Sequence, residues 1–400
     1  MPPPEMPMAT TMTWPDLIDQ RLNSIRVEGR WRSYRDLDGL GPVGVLTAEG
    51  REVVSFASND YLGLTAHPKV ISAAHAALDR WGSGSGGSRL ITGARPIHRE
   101  LEETLAEWKG TDRAVLFPTG FAANLGVLST LGGAEVTIVS DSLNHASIID
   151  GTRLARAQVA IAPHGDVDAI ESLVGSAAGL VIVVCDTVFS MDGDVLDVAE
   201  VADVCRRHGA LLVLDEAHAV LGPHHDPTDL SGVEVVRVGT LSKTLGSLGG
   251  FVACSGPVAD LLVNAARSSI FTTALSPADT AAALAALGVL RSPEGDDLIA
   301  RLRRHVDRLA PRHPSPIVPV VLGDELRAVE AASALLDAGL FVPAIRPPTV
   351  PTGTSRLRVT FSAAHTDAQV ERLIAALEAL DVPALEAVDG VDGPTAGGTT

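Results

Sequence analysis

Between Arg113 and Ser255 seven short apolar runs, RAVLF, EVTIVS, QVAIAP, GLVIVVC, ALLVLD, VVRVGT and GFVACS, alternate with helical patterns. Runs that are apolar throughout suit strands buried on both faces. Seven of them with intervening helices predict a mainly parallel, doubly wound α/β sheet. Open sheets of this kind bind ligands at the carboxyl edge of their strands, so the residue closing each run carries the functional information. ALLVL closes on Asp215, and VVRVGT delivers Lys243 to the same edge one connection later. A carboxylate and an amine in such a cleft have two readings. They form a structural ion pair, or they serve an aldehyde cofactor, with the lysine as Schiff-base nucleophile and the aspartate holding a pyridinium nitrogen.

Other strand ends weigh on that choice. Thr119-Gly120-Phe121 follows RAVLFP at the start of a helix, where free amides and the helix dipole favour a phosphate. Thr240 and Ser242 flank the lysine with hydroxyls, and Phe271-Thr272-Thr273 adds more. His145 follows EVTIVS; it caps the next helix or stacks on an aromatic ring. Ser190, with Asp192 and Asp194, follows GLVIVVC. Four strand ends thus bring Thr119, His145, Ser190 and the group Asp215, His218 and Lys243 to one rim, which favours the cofactor reading over the ion pair.

Competing motifs fail on context. Gly82-x-Gly84-x-x-Gly87 lacks the preceding strand and directly following helix of a dinucleotide fingerprint, so it reads as a close-packed loop. Asp215-Glu216-Ala217-His218 matches a helicase-type ATPase motif, but no Gly-rich phosphate loop precedes it. No metal site is expected from His218, His224 and His225, which lack the helical spacing of zinc hydrolases.

With 31 Lys and Arg against 49 Asp and Glu, the formal charge of −18 disfavours nucleic acid and anionic membrane as partners. No apolar stretch reaches the roughly 18 residues of a membrane span. Cys185, Cys205 and Cys254 lie far apart and are expected to be reduced, in the cytoplasm. Residues 1–13 have no signal-peptide pattern and are expected to form a disordered leader, as 386–400 a disordered tail. Residues 14–58 are expected to hold an amphipathic helix running from Trp14 towards Arg35, with Leu17, Ile18, Leu22 and Ile25 on one face, and a hairpin turning at Glu49-Gly50. Residues 59–290 form the large α/β domain, and 291–385 a smaller C-terminal α+β domain.

NDYLGL at 59–64, GSGSGGSRLITG at 82–93, TGFAAN at 119–124, LNHAS at 143–147, VFSMDGD at 188–194, DEAH at 215–218 and TLSKTLG at 240–246 together resemble the α-oxoamine synthases, fold-type I enzymes dependent on pyridoxal 5'-phosphate. The resemblance spans roughly residues 14 to 380. It implies that Lys243 holds the cofactor aldehyde, Asp215 pairs with the ring nitrogen, His145 stacks on the ring, and His218 and Ser190 bond near the phenolic oxygen. Thr119, Gly120, Phe121, Thr240 and Ser242 would bind the phosphate, with Thr272 and Thr273 reaching it from a second subunit of a homodimer. Arg358 and Asn59 would hold the amino-acid carboxylate, and Arg32 and Thr349 match substrate contacts. Arg346 to Pro351, RPPTVP, is similar to members that condense L-alanine with pimeloyl-CoA or pimeloyl-acyl carrier protein; other members join glycine to a short acyl-CoA. The chain departs from the family pattern after DEAH, where AVLG and PHHDPTDLSG replace the usual Gly-x-Gly stretch.

Overall fold

The computed structural model describes residues 12–222 and 227–380. The leader up to residue 11, residues 223–226 of the atypical loop and the chain from 381, with the expected tail, lie outside the described residues. The strands are β1 (Leu37–Leu40), β2 (Val43–Leu46), β3 (Arg51–Ser55), β4 (Arg113–Phe117), β5 (Val136–Asp141), β6 (Gln158–Ala162), β7 (Leu180–Asp186), β8 (Leu211–Asp215), β9 (Val235–Thr240), β10 (Gly250–Cys254), β11 (Ile317–Gly323), β12 (Leu340–Phe341), β13 (Ala344–Ile345) and β14 (Ser355–Thr360).

The seven apolar runs form one sheet in the order β4-β10-β9-β8-β7-β5-β6. Neighbours are parallel from β9 to β6, and β10 alone runs antiparallel to both its partners. The cause is chain length: the connection 241–249 is too short for the dozen or more residues a parallel crossover needs. It turns straight back and leaves Lys243 at the carboxyl edge of β9. The runs are apolar throughout because alternate residues feed separate cores. Val184 and Val213 pack on one face with Ile138 and Val252, whereas Val183, Cys185, Leu212 and Leu214 pack on the other with helix Val198–His208.

Two smaller sheets complete the chain. β1, β2 and β3 form an antiparallel hairpin system that turns at Gly50 (φ +60°), and β12 adds in parallel to β3, pairing Leu340 with Val54. The N-terminal hairpin therefore belongs to the same layer as C-terminal residues. The second sheet has the order β11-β14-β13.

One local expectation is corrected. The first helix stops at Val27, because Gly29 adopts a left-handed conformation (φ +64°); Arg30, Arg32 and Arg35 follow it without regular structure. No residue of that helix is buried: on its apolar face Leu17 and Leu22 are half-buried and Ile18 and Ile25 are exposed. Helix Pro277–Leu290 is followed after Arg291-Ser292 by helix Pro293–Leu309, which Pro293 opens. The glycine-rich loop follows helix Pro68–Trp81 and closes on itself: a β-carbon on Gly93 would sit 2.0 Å from the Gly87 carbonyl oxygen. Among the described residues no helix is long and apolar enough to cross a membrane.

Candidate active site

The carboxyl ends of β5, β7, β8 and β9 meet the loop carrying Lys243 and strand β14. The half-buried Lys243 makes no ion pair with Asp215; its Nζ lies 2.7 Å from His218 Nε2. The opposite ring nitrogen, Nδ1, meets the hydroxyl of Tyr61 at 2.5 Å, and that hydroxyl donates to Asn59 Oδ1 at 3.2 Å. His218 and Tyr61 are both buried. Burial, then the facing Lys243 charge, holds His218 well below the ordinary imidazole range, so the ring is neutral. Burial also lowers the Lys243 amine, opposed by the nearby carboxyls of Asp215 and Asp186.

Asp215 is held on the other side of the cleft. Its Oδ2 accepts from the side-chain amide of Asn124 at 2.6 Å, and its Oδ1 from the backbone N–H of Ala217 at 2.9 Å. Asn124, on helix Gly120–Leu131, also donates to Ser147 Oγ (2.8 Å), which in turn lies 2.7 Å from His145 Nδ1. The backbone N–H of Ser147 donates to that same Nδ1, so the nitrogen is an acceptor and the His145 proton sits on Nε2, facing the cleft. Desolvation of this edge lowers the His145 pKa, opposed by Asp215. The histidine thus caps helix Ala146–Ala155, the first of the two readings given for it.

Asp186, which ends β7 in register with Asp215, was not among the expected site residues. It accepts the backbone N–H of His145 at 2.6 Å, and burial beside Asp215 pushes its carboxyl well above the usual range. Its signal, an acid closing an apolar run, is the one that marked Asp215. Tyr61 and Asn124 were also missed as individuals, although NDYLGL and TGFAAN contain them. Glu216 turns away from Asp215 and is pinned by Lys109 (2.6 Å) and Arg237 (2.7 Å), which separates the acidic pair that an ATPase would need.

On the C-terminal wall, the buried Arg358 donates to the carbonyl of Ser190 through Nε (2.6 Å), to Thr360 Oγ1 (2.8 Å) and to Asn59 Oδ1 (3.2 Å). Among the described residues no carboxylate lies within ion-pair distance of it. Ser190 is thus used through its carbonyl oxygen. Asp192 and Asp194 are taken by Arg356 and His164.

Thr119 caps helix Gly120–Leu131 through its hydroxyl, leaving first-turn amides of Gly120 and Phe121 directed off the helix end. Thr240 Oγ1 and Ser242 Oγ lie 2.7 Å apart beside it, and a β-carbon on Gly120 would touch the Thr240 side chain at 3.3 Å. Gly250, opening β10, packs still closer. A β-carbon there would lie 2.4 Å from the carbonyl carbon of Thr119. Gly250→Ala is therefore expected to displace the Thr119-Gly120 turn and cost about 1–3 kcal/mol, read as a lower melting temperature together with weaker retention of a phosphate ligand. Arg32, Thr272, Thr273 and Thr349 are not brought to this rim by contacts within one chain; Arg32, Thr273 and Thr349 are exposed.

His164 links two of the loops. Its Nδ1 faces Asp141 Oδ1 (3.1 Å) and its Nε2 faces Asp194 Oδ2 (2.6 Å). Hydrogen bonds to Asp141 and then Asp194 raise its pKa from 6.5 to about 10. A raised cation stabilises the fold fully below pH 6.5, and the contribution fades as pH climbs through 10. His164→Gln should destabilise the fold at pH 6 by only about 1–2 kcal/mol, because water reaches the ring, read as a lower melting temperature. It should also flatten the fall in stability between pH 6.5 and 10.

This donor set fits pyridoxal phosphate: a buried carboxylate held by N–H donors for a ring nitrogen, a lysine free of carboxylate partners for an aldehyde, and a capped helix end with two hydroxyls for a phosphate. The buried Asn124 Oδ1, which has no partner, opens onto the same network. The sequence profile described as aminotransferase class I and II matches residues 51–377. The 8-amino-7-oxononanoate synthase of Burkholderia thailandensis is 48% identical over 382 residues, covering 90% of this chain and 96% of that protein. That of Anaeromyxobacter sp. (strain K) is 46% identical over 390 residues, covering 93% and 97%. A serine palmitoyltransferase from S. paucimobilis, solved with bound pyridoxal phosphate, superposes with a TM-score of 0.83 at 31% identity, covering 91% of this chain and 97% of that one. A shared profile, a shared sequence over nearly the whole length and a shared fold agree, and the chain belongs to the aminotransferase class I and II family.

Proposed function

We propose that this chain condenses L-alanine with a pimeloyl thioester, releasing carbon dioxide and free thiol, to give 8-amino-7-oxononanoate for biotin biosynthesis. The observation that carries the reading is Arg358, a buried guanidinium with no carboxylate partner, sharing Asn59 with the Tyr61–His218–Lys243 chain. A buried cation of this kind is a ready seat for the carboxylate of an amino acid. The curated relatives are named 8-amino-7-oxononanoate synthase, after the product proposed here.

Pyridoxal phosphate, when bound, supplies an aldehyde for the amino group and a protonated ring that withdraws electrons from Cα. Asp215, oriented by Asn124 and Ala217, keeps the proton on the ring nitrogen. His145 would cover the ring face, and His218 and Ser190 would lie near its phenolic oxygen. Thr119, Gly120, Phe121, Thr240 and Ser242 hold the phosphate, with Thr272 and Thr273 supplied by a second subunit. Arg358 and Asn59 orient the carboxylate, and Arg32 and Thr349 line the approach of the acyl chain. Lys243 removes the Cα proton and later returns one; burial favours its neutral form, which suits a base. A homodimer is the working unit: the first helix buries none of its residues within one chain, and Arg32 and Thr273 are exposed.

Incubation with L-alanine or glycine, each with pimeloyl-CoA, pimeloyl-acyl carrier protein and acetyl-CoA, tests the reading by product mass. Alanine with a pimeloyl thioester should dominate, and the two pimeloyl arms identify the carrier. A clear preference for glycine with acetyl-CoA would replace it with the other branch of the family.

A further inference from the structure

The polar chain behind Lys243 extends one residue beyond the roles assigned above. We propose that Tyr61 is a positioning residue for Lys243: by accepting the Nδ1 proton of His218, its hydroxyl fixes the tautomer whose Nε2 lone pair faces the lysine. The inference rests on Lys243 being the reactive amine.

An ammonium has three donors and no acceptor, and Lys243 has no carboxylate in ion-pair reach among the described residues. While Lys243 is an ammonium, His218 Nε2 at 2.7 Å is its acceptor, which places the neutral ring's single proton on Nδ1. That proton needs an acceptor inside a buried site. Tyr61 Oη lies at 2.5 Å and can accept it because its own proton goes to Asn59 Oδ1 at 3.2 Å. The chain therefore has one direction, from Lys243 to His218, to Tyr61, to Asn59, where Arg358 also donates. Tyr61 is fully buried in the main core, so the hydroxyl has no water to replace these partners.

Without the hydroxyl, the Nδ1 proton becomes a buried donor with no acceptor, and the ring does better with its proton on Nε2. An N–H then faces the Lys243 ammonium, and the lysine is favoured as a neutral amine that accepts from it. The other charged or titratable groups facing Lys243 are Asp215, Asp186, Arg358 and His145; Tyr61→Phe leaves Asp215, Asp186 and His145 in place and removes one hydroxyl partner of Arg358, an effect that does not depend on His218.

The test uses the full chain stripped of cofactor. Acetic anhydride labels the neutral amine, and mass spectrometry of the Lys243 peptide gives the pH midpoint. Tyr61→Phe should lower that midpoint by about one pH unit. In a His218→Asn background, which has no tautomer to set, Tyr61→Phe should produce no further shift. Asn59→Leu, which frees the Tyr61 proton to turn onto His218, should move the midpoint in the same direction and keeps the test open should Tyr61→Phe fold poorly. An unmoved midpoint in folded Tyr61→Phe protein overturns the proposal. So does a shift that persists without His218, or a rise in KM for alanine with the midpoint unchanged, which would assign Tyr61 to Arg358 and Asn59 instead. The labelling uses neither alanine nor a thioester, so loss of the proposed reaction and loss of this proposal are read separately.

Discussion

Replacing Lys243 by alanine is expected to reduce turnover by about ten-thousandfold or more, because one amine serves as cofactor anchor, base and acid. The fold should survive. Lys243 makes a single hydrogen bond, to a neutral histidine, and burial disfavours its charge, so truncation removes an electrostatic cost as well as a contact. The melting temperature should stay level or rise while product formation, followed by mass spectrometry, disappears. A folded Lys243→Ala protein keeping more than a few per cent of the wild-type rate would sink the assignment of this residue.

Arg358→Lys should act on substrate binding more than on the chemical step. The guanidinium is held in place by the Ser190 carbonyl through Nε and by Thr360 and Asn59 through its two terminal nitrogens. An ammonium keeps the charge but loses the planar fork, so a carboxylate seated on it loses one charge-assisted hydrogen bond. That is about 1.5–3 kcal/mol, a rise in KM for the amino acid of roughly ten- to a hundredfold. The apparent KM for the thioester should change much less. Equal increases for both substrates would place Arg358 in general site architecture rather than at the carboxylate.

The large sheet was legible because both its faces are covered, so that each strand appears as an uninterrupted apolar run. Asp215, His145 and Lys243 were legible because each follows such a run. Asp186 carried the same signal and was passed over, although Cys185 before it is as buried as Leu214 before Asp215. The helix boundary at Gly29 was missed since amphipathic spacing continues past a glycine whose left-handed backbone only the structure reveals. Asn124 lies in an Ala- and Leu-rich helix, where an amide reads as tolerated polarity until its bond to Asp215 is seen. Arg32 and Thr349 were named through resemblance alone, Thr272 and Thr273 through their hydroxyls and the resemblance, and one chain does not gather the four at the rim.

The sequence by itself determined which strands are buried, which ionisable groups stand at their carboxyl ends and which family pattern they match, because hydrophobic periodicity and chain order are local properties. Only the tertiary structure decided what those groups bond to. It gave Lys243 to His218 rather than Asp215, Asp215 to Asn124, and Arg358 to no acid among the described residues. Those choices depend on donors and acceptors from segments far apart in the chain, brought within 3 Å or so by sheet order and packing. Distances of that kind leave no period in the sequence.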